Sequence, residues 1–320
     1  MIVEPGGRPV RSVLILGFGI TGRAVAAVCR DRGIRVRVSE AGSLGSEARA
    51  RLEAQAVPFE EGRHSKRFLP DVDAVILSPG VRPGEPTVLA ARAAGLPVLS
   101  ELDFAALQIP SNPMIAVTGT NGKGTTVKMI DAILRTAGRH AFVGGNIGTP
   151  LISGINGVDA NHVVVLEASS FQLEQSKFLC PRVGVLLNLT PDHLDRHKTM
   201  AAYAVAKGRL FVRQEPDDVA VLPRSLADRF RQGEGRRVLF DPSSMPPLAG
   251  AERLSPHNRL NLAAAWAAVE ALDPELVLRK PSIAELSGAF SEPHRMQEIG
   301  SVRGVRIIDD SKSTNAGSAV

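Results

Sequence analysis

The chain is poor in the side chains that stack, cross-link or span. It has one tryptophan and one tyrosine, and aromatics make up only 4% of its residues, too few for the stacking platforms that single-stranded nucleic acid requires. The net charge of +5 comes from arginines scattered along the sequence rather than from a basic block, so no nucleic-acid partner is expected. Two cysteines, Cys29 and Cys180, cannot supply a disulfide framework or a zinc site. Both lie among apolar neighbours, and they read as buried free thiols in a reducing compartment. No stretch is long and apolar enough to span a bilayer, and the N-terminus lacks a secretory pattern. A cytoplasmic protein without a membrane partner is expected. What remains, at 44% apolar and 22% charged residues over 320 positions, is an ordinary globular composition with room for two full cores.

What the chain does have is glycine at the ends of apolar runs. Met114 to Val117 runs into Thr118-Gly119-Thr120-Asn121-Gly122-Lys123-Gly124-Thr125-Thr126, and the apolar spacing of Val127, Met129, Ile130, Ile133 and Leu134 suits a helix. A glycine turn between strand and helix lets backbone N–H groups close on an anion. The helix N-terminus adds partial positive charge, and a lysine can reach the outer phosphates. The stretch is read as a phosphate-binding loop. It departs from the full pattern at two places: Val117 stands where a glycine is usual, and Gly124 stands where a hydroxyl would bind Mg²⁺. Thr125 is the first choice for that hydroxyl and Thr126 the second.

An earlier stretch has the same logic. The strand Ser12 to Leu16 enters Gly17-Phe18-Gly19-Ile20-Thr21-Gly22, followed by helical Ala24 to Arg30 and a second strand, Ile34 to Val38, ending at Ser39-Glu40. Strand, glycine fingerprint, helix, strand and acid in this order mark a Rossmann unit. The order calls for a dinucleotide or a nucleotide diphosphate, with Glu40 placed to bond a ribose. Another strand, Val72 to Leu77, stops at Ser78-Pro79-Gly80-Val81, a turn where α/β sheets bind ligands. Helix Pro86 to Ala94, strand Pro97 to Leu99 and a linker-like Gln108 to Pro113 follow. Strands alternating with helices imply a parallel sheet.

Beyond the phosphate loop come a glycine-rich Gly144 to Pro150 and an apolar His162 to Leu166 that ends in Glu167. An acid at a strand end beside a phosphate loop is where an Mg²⁺ carboxylate belongs. The strand Val183 to Leu187 leads into Asn188 to His197, in which Asp192, His193, Asp195 and His197 crowd together, and His193 is credible as a metal ligand beside Glu167. A helix then carries Tyr203 and Lys207 one turn apart; spacing alone would equally make Lys207 a solvent-facing residue. Strands are expected at Val219 to Leu222 and Val238 to Phe240, with a basic helix around Ala227 to Phe230 between them. Asn258 and Asn261 open an alanine-rich helix, to cap it or to hold a nucleotide. A strand at Val305 to Ile308 ends in Asp309 to Asn315.

Taken together, Thr118 to Lys123, Gly145-Asn-Ile-Gly148, Leu166-Glu167, Ser169 to Glu174, Asp192 to Arg196, Lys207, His257-Asn258, His294-Arg295 and Asp310-Ser-Lys312 resemble the Mur ligases, the ATP-dependent amino-acid-adding enzymes of bacterial peptidoglycan synthesis. The Gly17–Gly22 loop and Ser78–Gly80 turn point to the D-glutamate-adding branch. The resemblance implies an α/β fold with three parts. A Rossmann-like UDP-sugar-binding domain would span residues 1–108 and a central P-loop-type ATP-binding domain with a mostly parallel sheet residues 109–292. Residues 293–320 would begin a C-terminal Rossmann-like domain that is largely missing.

It further implies ATP with two Mg²⁺ sites, and UDP-N-acetylmuramoyl-L-alanine and D-glutamate as substrates of a monomer. The reaction would join the two substrates through an acyl phosphate. Residue by residue, Gly119, Thr120, Asn121, Gly122, Lys123, Gly124, Thr125 and Thr126 would bind ATP with Asn258, Arg295, Asp310 and Lys312. Thr125 and Glu167 would hold one metal, and His193 with a carbamylated Lys207 the other; Lys123, His193 and Lys207 form the expected catalytic set. Ile20, Thr21, Glu40, Ser78, Gly80, Asn146, Ser169 and Gln172 would line the UDP-sugar path. Activity is expected to be impaired by the early stop at Val320. The alternatives are a folylpolyglutamate synthase-like ligase, suggested by Gly124, an inactive nucleotide-binding remnant, or an NAD-dependent oxidoreductase, which accounts for Gly17 to Gly22 and nothing after Asn112.

Overall fold

The computed structural model describes residues 6–109, 112–146, 148–245, 247–290 and 297–311. The strands that read as unbroken apolar runs are buried along their whole length, as parallel strands covered on both faces must be. They build two compact units. The first contains Met1–Asn112, Gly144–Ala160 and Ser169–Leu179; the second contains Pro113–Val143, Asn161–Ala168 and Cys180–Val320.

In the first unit five strands, β1 (Ser12–Leu16), β2 (Arg35–Ser39), β3 (Phe59–Glu60), β4 (Ala74–Leu77) and β5 (Val98–Ser100), form a parallel sheet in the order β3-β2-β1-β4-β5. Helices α1 (Ile20–Asp31), α2 (Gly45–Ala54), α3 (Pro86–Ala93) and α4 (Glu101–Ala106) alternate with them. The chain winds outward from β1 to β3, then restarts at β4 on the other side of β1. Outside the carboxyl ends of β1 and β4, at that reversal, such sheets bind ligands. Gly17 follows β1 and Ser78 follows β4, so both expected loops meet there. α1 lies close because residue 22 is glycine: a Cβ at Gly22 would come within 2.1 Å of the Gly17 carbonyl oxygen. The core of this unit is Leu14, Leu16, Val75, Leu77, Val88 and their neighbours, each large aliphatic contributing about 1.5–3 kcal/mol on burial.

Buried carboxylates fasten the two later segments to this unit. Asp103 accepts from Ser176 Oγ (2.5 Å) and from the backbone N–H groups of Lys177 (2.8 Å), Phe178 (2.9 Å) and Leu179 (3.0 Å). Glu101 accepts from the Ile152 N–H at 2.7 Å, at the start of the short α6 (Leu151–Gly154). Ser169 and Gln172 form a capping box on α7 (Ser170–Gln175).

In the second unit β6 (Met114–Thr118), β7 (Ala141–Gly145), β8 (Val163–Glu167), β9 (Val183–Leu186), β10 (Val219–Pro223) and β11 (Arg236–Phe240) form a sheet in the order β11-β10-β9-β6-β8-β7. The pairs β6–β8, β6–β9, β9–β10 and β10–β11 are parallel. α5 (Lys123–Thr136) packs on β6 and β8, and α10 (Pro256–Leu272) packs on α5, β9 and β10. Ala263, Ala264, Ala265 and Ala268 are buried on α10, and their small side chains allow that close approach. The short α8 (Leu194–His197) and α9 (Met200–Gly208) follow β9. A separate antiparallel hairpin, β12 (Gln297–Val302) and β13 (Val305–Asp309), leaves Ile299, Val302 and Val305 exposed.

Several sequence expectations are corrected. Cys180 is exposed, its thiol donating to the Arg213 carbonyl at 3.0 Å, whereas Cys29 is buried as expected. No α-helix covers Ala227 to Phe230; a 3₁₀ turn at Arg224–Leu226 passes into turns. Ser255, not an asparagine, is the N-cap of α10, with Pro256 in its first turn. β12 was not expected at all. The missed signal is Arg303-Gly304, both with positive φ (52° and 80°), the backbone of a two-residue hairpin turn.

Candidate functional site

The phosphate loop emerges from β6 between the carboxyl ends of β8 and β9. Gly122 caps α5 with φ +84°, and a Cβ there would lie 2.4 Å from Asn261 Oδ1. Glycine is therefore demanded twice, by backbone conformation and by the close approach of α10. Asn188, just past β9, clamps the loop: its Oδ1 accepts from the N–H groups of Thr120 (3.0 Å) and Asn121 (2.9 Å), and its Nδ2 donates to the Asn121 carbonyl (3.0 Å). Thr120 Oγ1 donates to the Thr190 carbonyl (3.2 Å), accepts from the Thr190 N–H (3.1 Å), and lies 3.4 Å from the Tyr203 hydroxyl.

Two lysines face this loop. Lys123 Nζ donates to the carbonyls of Gly119 (3.1 Å) and Thr120 (2.8 Å), and Lys207 Nζ donates to the Gly119 carbonyl at 2.7 Å. Lys207 is 1% exposed, with its Nζ 4.5 Å from the centre of the Tyr203 ring. Solvent-facing it is not. Burial pushes its pKa well below the ordinary lysine value, Lys123 pushes it further down, and Asp192 and Glu167 only partly offset this. Glu167 is buried at the end of β8. His193 has a left-handed backbone (φ 52°); its N–H donates to Asp192 Oδ1 (2.9 Å), and its Nε2 lies 3.6 Å from Asp192 Oδ2. Its ring and that of His197 both flank Tyr203.

Thr126 is fully buried and donates its hydroxyl to the Gly122 carbonyl (2.9 Å), while Thr125 is 7% exposed. Gly124 follows Lys123 in the first turn of α5. Asn258 is half-buried in the first turn of α10, one turn before Asn261. Asp310 directly follows β13 of the exposed hairpin. Arg295 and Lys312, with His294, lie outside the described residues.

Among the described residues no group of three or more His, Cys, Asp or Glu is placed to hold a metal. That is compatible with Mg²⁺, which binds through one or two protein oxygens and completes its shell with water and substrate phosphates. Glu167 and Thr125 offer such oxygens. Lys207 as an amine does not suit an oxygen-seeking cation and would fit only after conversion to a carbamate.

In the first unit, Ile20, Thr21, Glu40, Ser78 and Gly80 line one cavity of about 460 Å³ together with Gly17, His64 and Arg82. Ile20 is 71% exposed. Ser78 Oγ donates to the Gly17 carbonyl (2.8 Å), and both Glu40 oxygens are engaged, by the N–H of Phe18 (2.6 Å) and of Gly42 (2.8 Å). These two side chains shape the fingerprint loop. Asn146, exposed in its loop, and the Ser169–Gln172 capping pair are in the same unit but do not line the cavity. Asn188, Tyr203 and His64 are site residues that the sequence does not single out, because their significance comes from contacts far along the chain.

A phosphate loop at the centre of one mostly parallel sheet and a crevice at the switch point of another define a two-unit α/β protein of the nucleotide-binding class. The Mur ligase middle domain matches residues 117–237 and the MurD N-terminal domain residues 12–86. The UDP-N-acetylmuramoylalanine–D-glutamate ligase of Pelotomaculum thermopropionicum is 36% identical, the match covering 97% of this chain and 73% of that protein. The proteins of the same name from Geobacter metallireducens (37%; 96% and 73%) and Oleidesulfovibrio alaskensis (38%; 98% and 71%) are similarly related. The chain belongs to the UDP-N-acetylmuramoylalanine–D-glutamate ligase family of Mur ligases. In fold it resembles the UDP-N-acetylmuramate:L-alanyl-γ-D-glutamyl-meso-diaminopimelate ligase of Neisseria meningitides, with TM-score 0.58 at 20% identity, covering 89% of this chain and 99% of that one. It also resembles the MurF ligase of Thermotoga maritima in complex with ADP (TM-score 0.53, 18% identity, 87% and 69% covered).

Proposed function

We propose that this chain joins D-glutamate to UDP-N-acetylmuramoyl-L-alanine, the pair that the names of its relatives give for them, and that ATP drives the reaction. The reading assigns the uridine nucleotide to the Gly17–Ser78 crevice and ATP to the Gly119–Thr126 loop, with boundaries near residues 108 and 292. The observation that carries the ATP half is the phosphate loop itself, clamped by Asn188 and facing Lys123, Lys207 and the buried Glu167.

The chemistry follows from these groups. The alanyl carboxylate takes the γ-phosphoryl group of ATP, releasing ADP, and the neutral amine of D-glutamate then displaces phosphate from the acyl phosphate and loses a proton to give the amide. Backbone N–H groups at the start of α5 donate to phosphate oxygens, and Lys123 exchanges two neutral carbonyls for anionic partners. Thr125 and Glu167 would hold one Mg²⁺, and His193 with carbamylated Lys207 a second. Bound there, the ions neutralise charge that builds on the transferring phosphoryl group. The amine of Lys207, whose pKa burial lowers, would attack carbon dioxide in its neutral form and give up one proton, leaving an anionic carbamate that supplies oxygen ligands. Asn258 is assigned to the adenine, and Arg295, Asp310 and Lys312 to the nucleotide. Asn146, Ser169 and Gln172 are assigned to the sugar end.

Calorimetric titration with Mg-ATP tests the ATP site. Lys123→Ala should bind at least about 10-fold more weakly than the parent, since a hydrogen bond to a charged group contributes roughly 1.5–3 kcal/mol; equal affinity removes Lys123 from the site. Titration with UDP-N-acetylmuramoyl-L-alanine and with NADH tests the other crevice. Tight NADH binding without a response to the UDP ligand would restore the oxidoreductase reading.

A further inference from the structure

The crevice between β1 and β4 contains a histidine that the fingerprint pattern does not call for. In Rossmann units an acid at the end of the second strand accepts hydrogen bonds from the ribose hydroxyls. Here that acid is Glu40, and its two oxygens already accept from the N–H groups of Phe18 and Gly42. The neighbouring Ser39 leads elsewhere. Its Oγ lies 2.7 Å from Glu60 Oε1 and 2.8 Å from His64 Nδ1.

Burial pushes the Glu60 carboxyl up, but hydrogen bonds from Ser65 and Ser39 together with Arg67 outweigh it and hold the group below its ordinary value, so it is ionised. Its Oε1 also accepts from the Ser65 N–H (2.7 Å), and its Oε2 accepts from Ser65 Oγ (2.6 Å) and faces Arg67 Nε at 3.2 Å. An ionised carboxylate only accepts, and a serine hydroxyl has one proton. That proton goes to Glu60, the alternative acceptor on Arg63 being farther at 3.3 Å. Ser39 Oγ must then accept from His64 Nδ1–H. With Nδ1 protonated, the neutral imidazole has an acceptor lone pair at Nε2. Thr87 Oγ1 bonds the His64 carbonyl (3.0 Å), fixing the backbone as well. The half-buried ring lines the same cavity as Thr21, Ala41, Ser78 and Arg82.

We propose that His64 is a substrate-binding residue of the uridine-nucleotide crevice, accepting a hydrogen bond from a ribose hydroxyl through Nε2 beside Glu40, whose two oxygens each already hold a loop N–H. This rests on the uridine-nucleotide reading above. Ser39 and Glu60 then act as positioning residues that set the tautomer.

The test is calorimetric titration of the full chain with UDP, 2′-deoxy-UDP, 3′-deoxy-UDP and N3-methyl-UDP, using the parent, His64→Ala and His64→Gln. A neutral hydrogen bond contributes roughly 0.5–1.5 kcal/mol, or about 2- to 10-fold in affinity. The parent should lose that factor with one of the deoxy nucleotides, and His64→Ala should bind UDP and that deoxy nucleotide equally. His64→Gln, which keeps an acceptor on a side chain of similar length, should recover part of the discrimination. A uniform loss across all four nucleotides in both variants would mean His64 only supports the fold. A loss confined to N3-methyl-UDP would place its partner on the base and overturn the ribose assignment. If the parent binds no UDP at all, the nucleotide reading itself fails, and this inference with it.

Discussion

Lys207 Nζ donates to the Gly119 carbonyl at 2.7 Å, so a fully buried amine from α9 closes on the backbone of the phosphate loop. The contact has two consequences, one for stability and one for chemistry. Because burial lowers the folded-state pKa well below 10.5, the unfolded chain binds more protons than the folded one between those two values. Stability must therefore rise with pH across that interval. Lys207→Met should flatten the rise, measured as urea unfolding midpoints in a series from neutral to alkaline buffers. An unchanged slope would show that Lys207 does not titrate differently in the two states.

The same amine should take up carbon dioxide. Carbon-13 NMR of the protein in labelled bicarbonate should show a carbamate resonance that Lys207→Arg abolishes while Lys123→Ala retains it. A resonance that survives Lys207→Arg would assign the adduct to another amine.

Asn188 receives two loop N–H groups and returns one bond. Asn188→Ala leaves those groups without their partner and should destabilise the protein by about 1–3 kcal/mol while weakening Mg-ATP binding about 10-fold or more. Asn188→Asp should keep the accepting half and lose less. If both variants bind ATP like the parent, the clamp is not needed to form the loop.

Gly122 and Asn261 form a coupled pair, since a Cβ on one meets the amide of the other at 2.4 Å. Gly122→Ala should cost about 1–3 kcal/mol from the left-handed backbone and the clash together. Adding Asn261→Gly should recover the part owed to the clash and leave the backbone part. A double-mutant cycle on unfolding free energies separates them; strict additivity would show that the two residues do not compete for space.

Glu101 provides a pH signature in the first unit. Burial pushes its carboxyl up to about 7, partly offset by the Ile152 N–H. Between the ordinary value of 4.5 and about 7 the folded state holds the extra proton, so stability should fall as pH rises through that window, by at most roughly 3 kcal/mol. Glu101→Gln, neutral throughout, should remove the decline in denaturant midpoints. A parent whose stability rises through the window would contradict the burial of this group.

The sequence by itself was enough for most strands of the two sheets, the short edge strands β3 and β7 being the exceptions, and for the loops that end β1, β4, β6 and β8. Apolar runs closed by glycine are local signals, set by how a backbone must turn to leave a strand, and they survive without any knowledge of neighbours. The placement of Glu167 at a strand end was legible for the same reason. What only the tertiary structure decided are properties made by residues distant in the chain. Spacing left Lys207 as readily exposed as buried, and its burial depends on α9 packing against the loop after β6. Cys180 has apolar neighbours in sequence but faces outward. The engagement of Glu40 and the tautomer of His64 follow from hydrogen bonds among residues 18, 39, 42, 60 and 64. Chemistry at this site is set by which protons and lone pairs remain after the fold has used its own, and that count exists only once the chain has closed on itself.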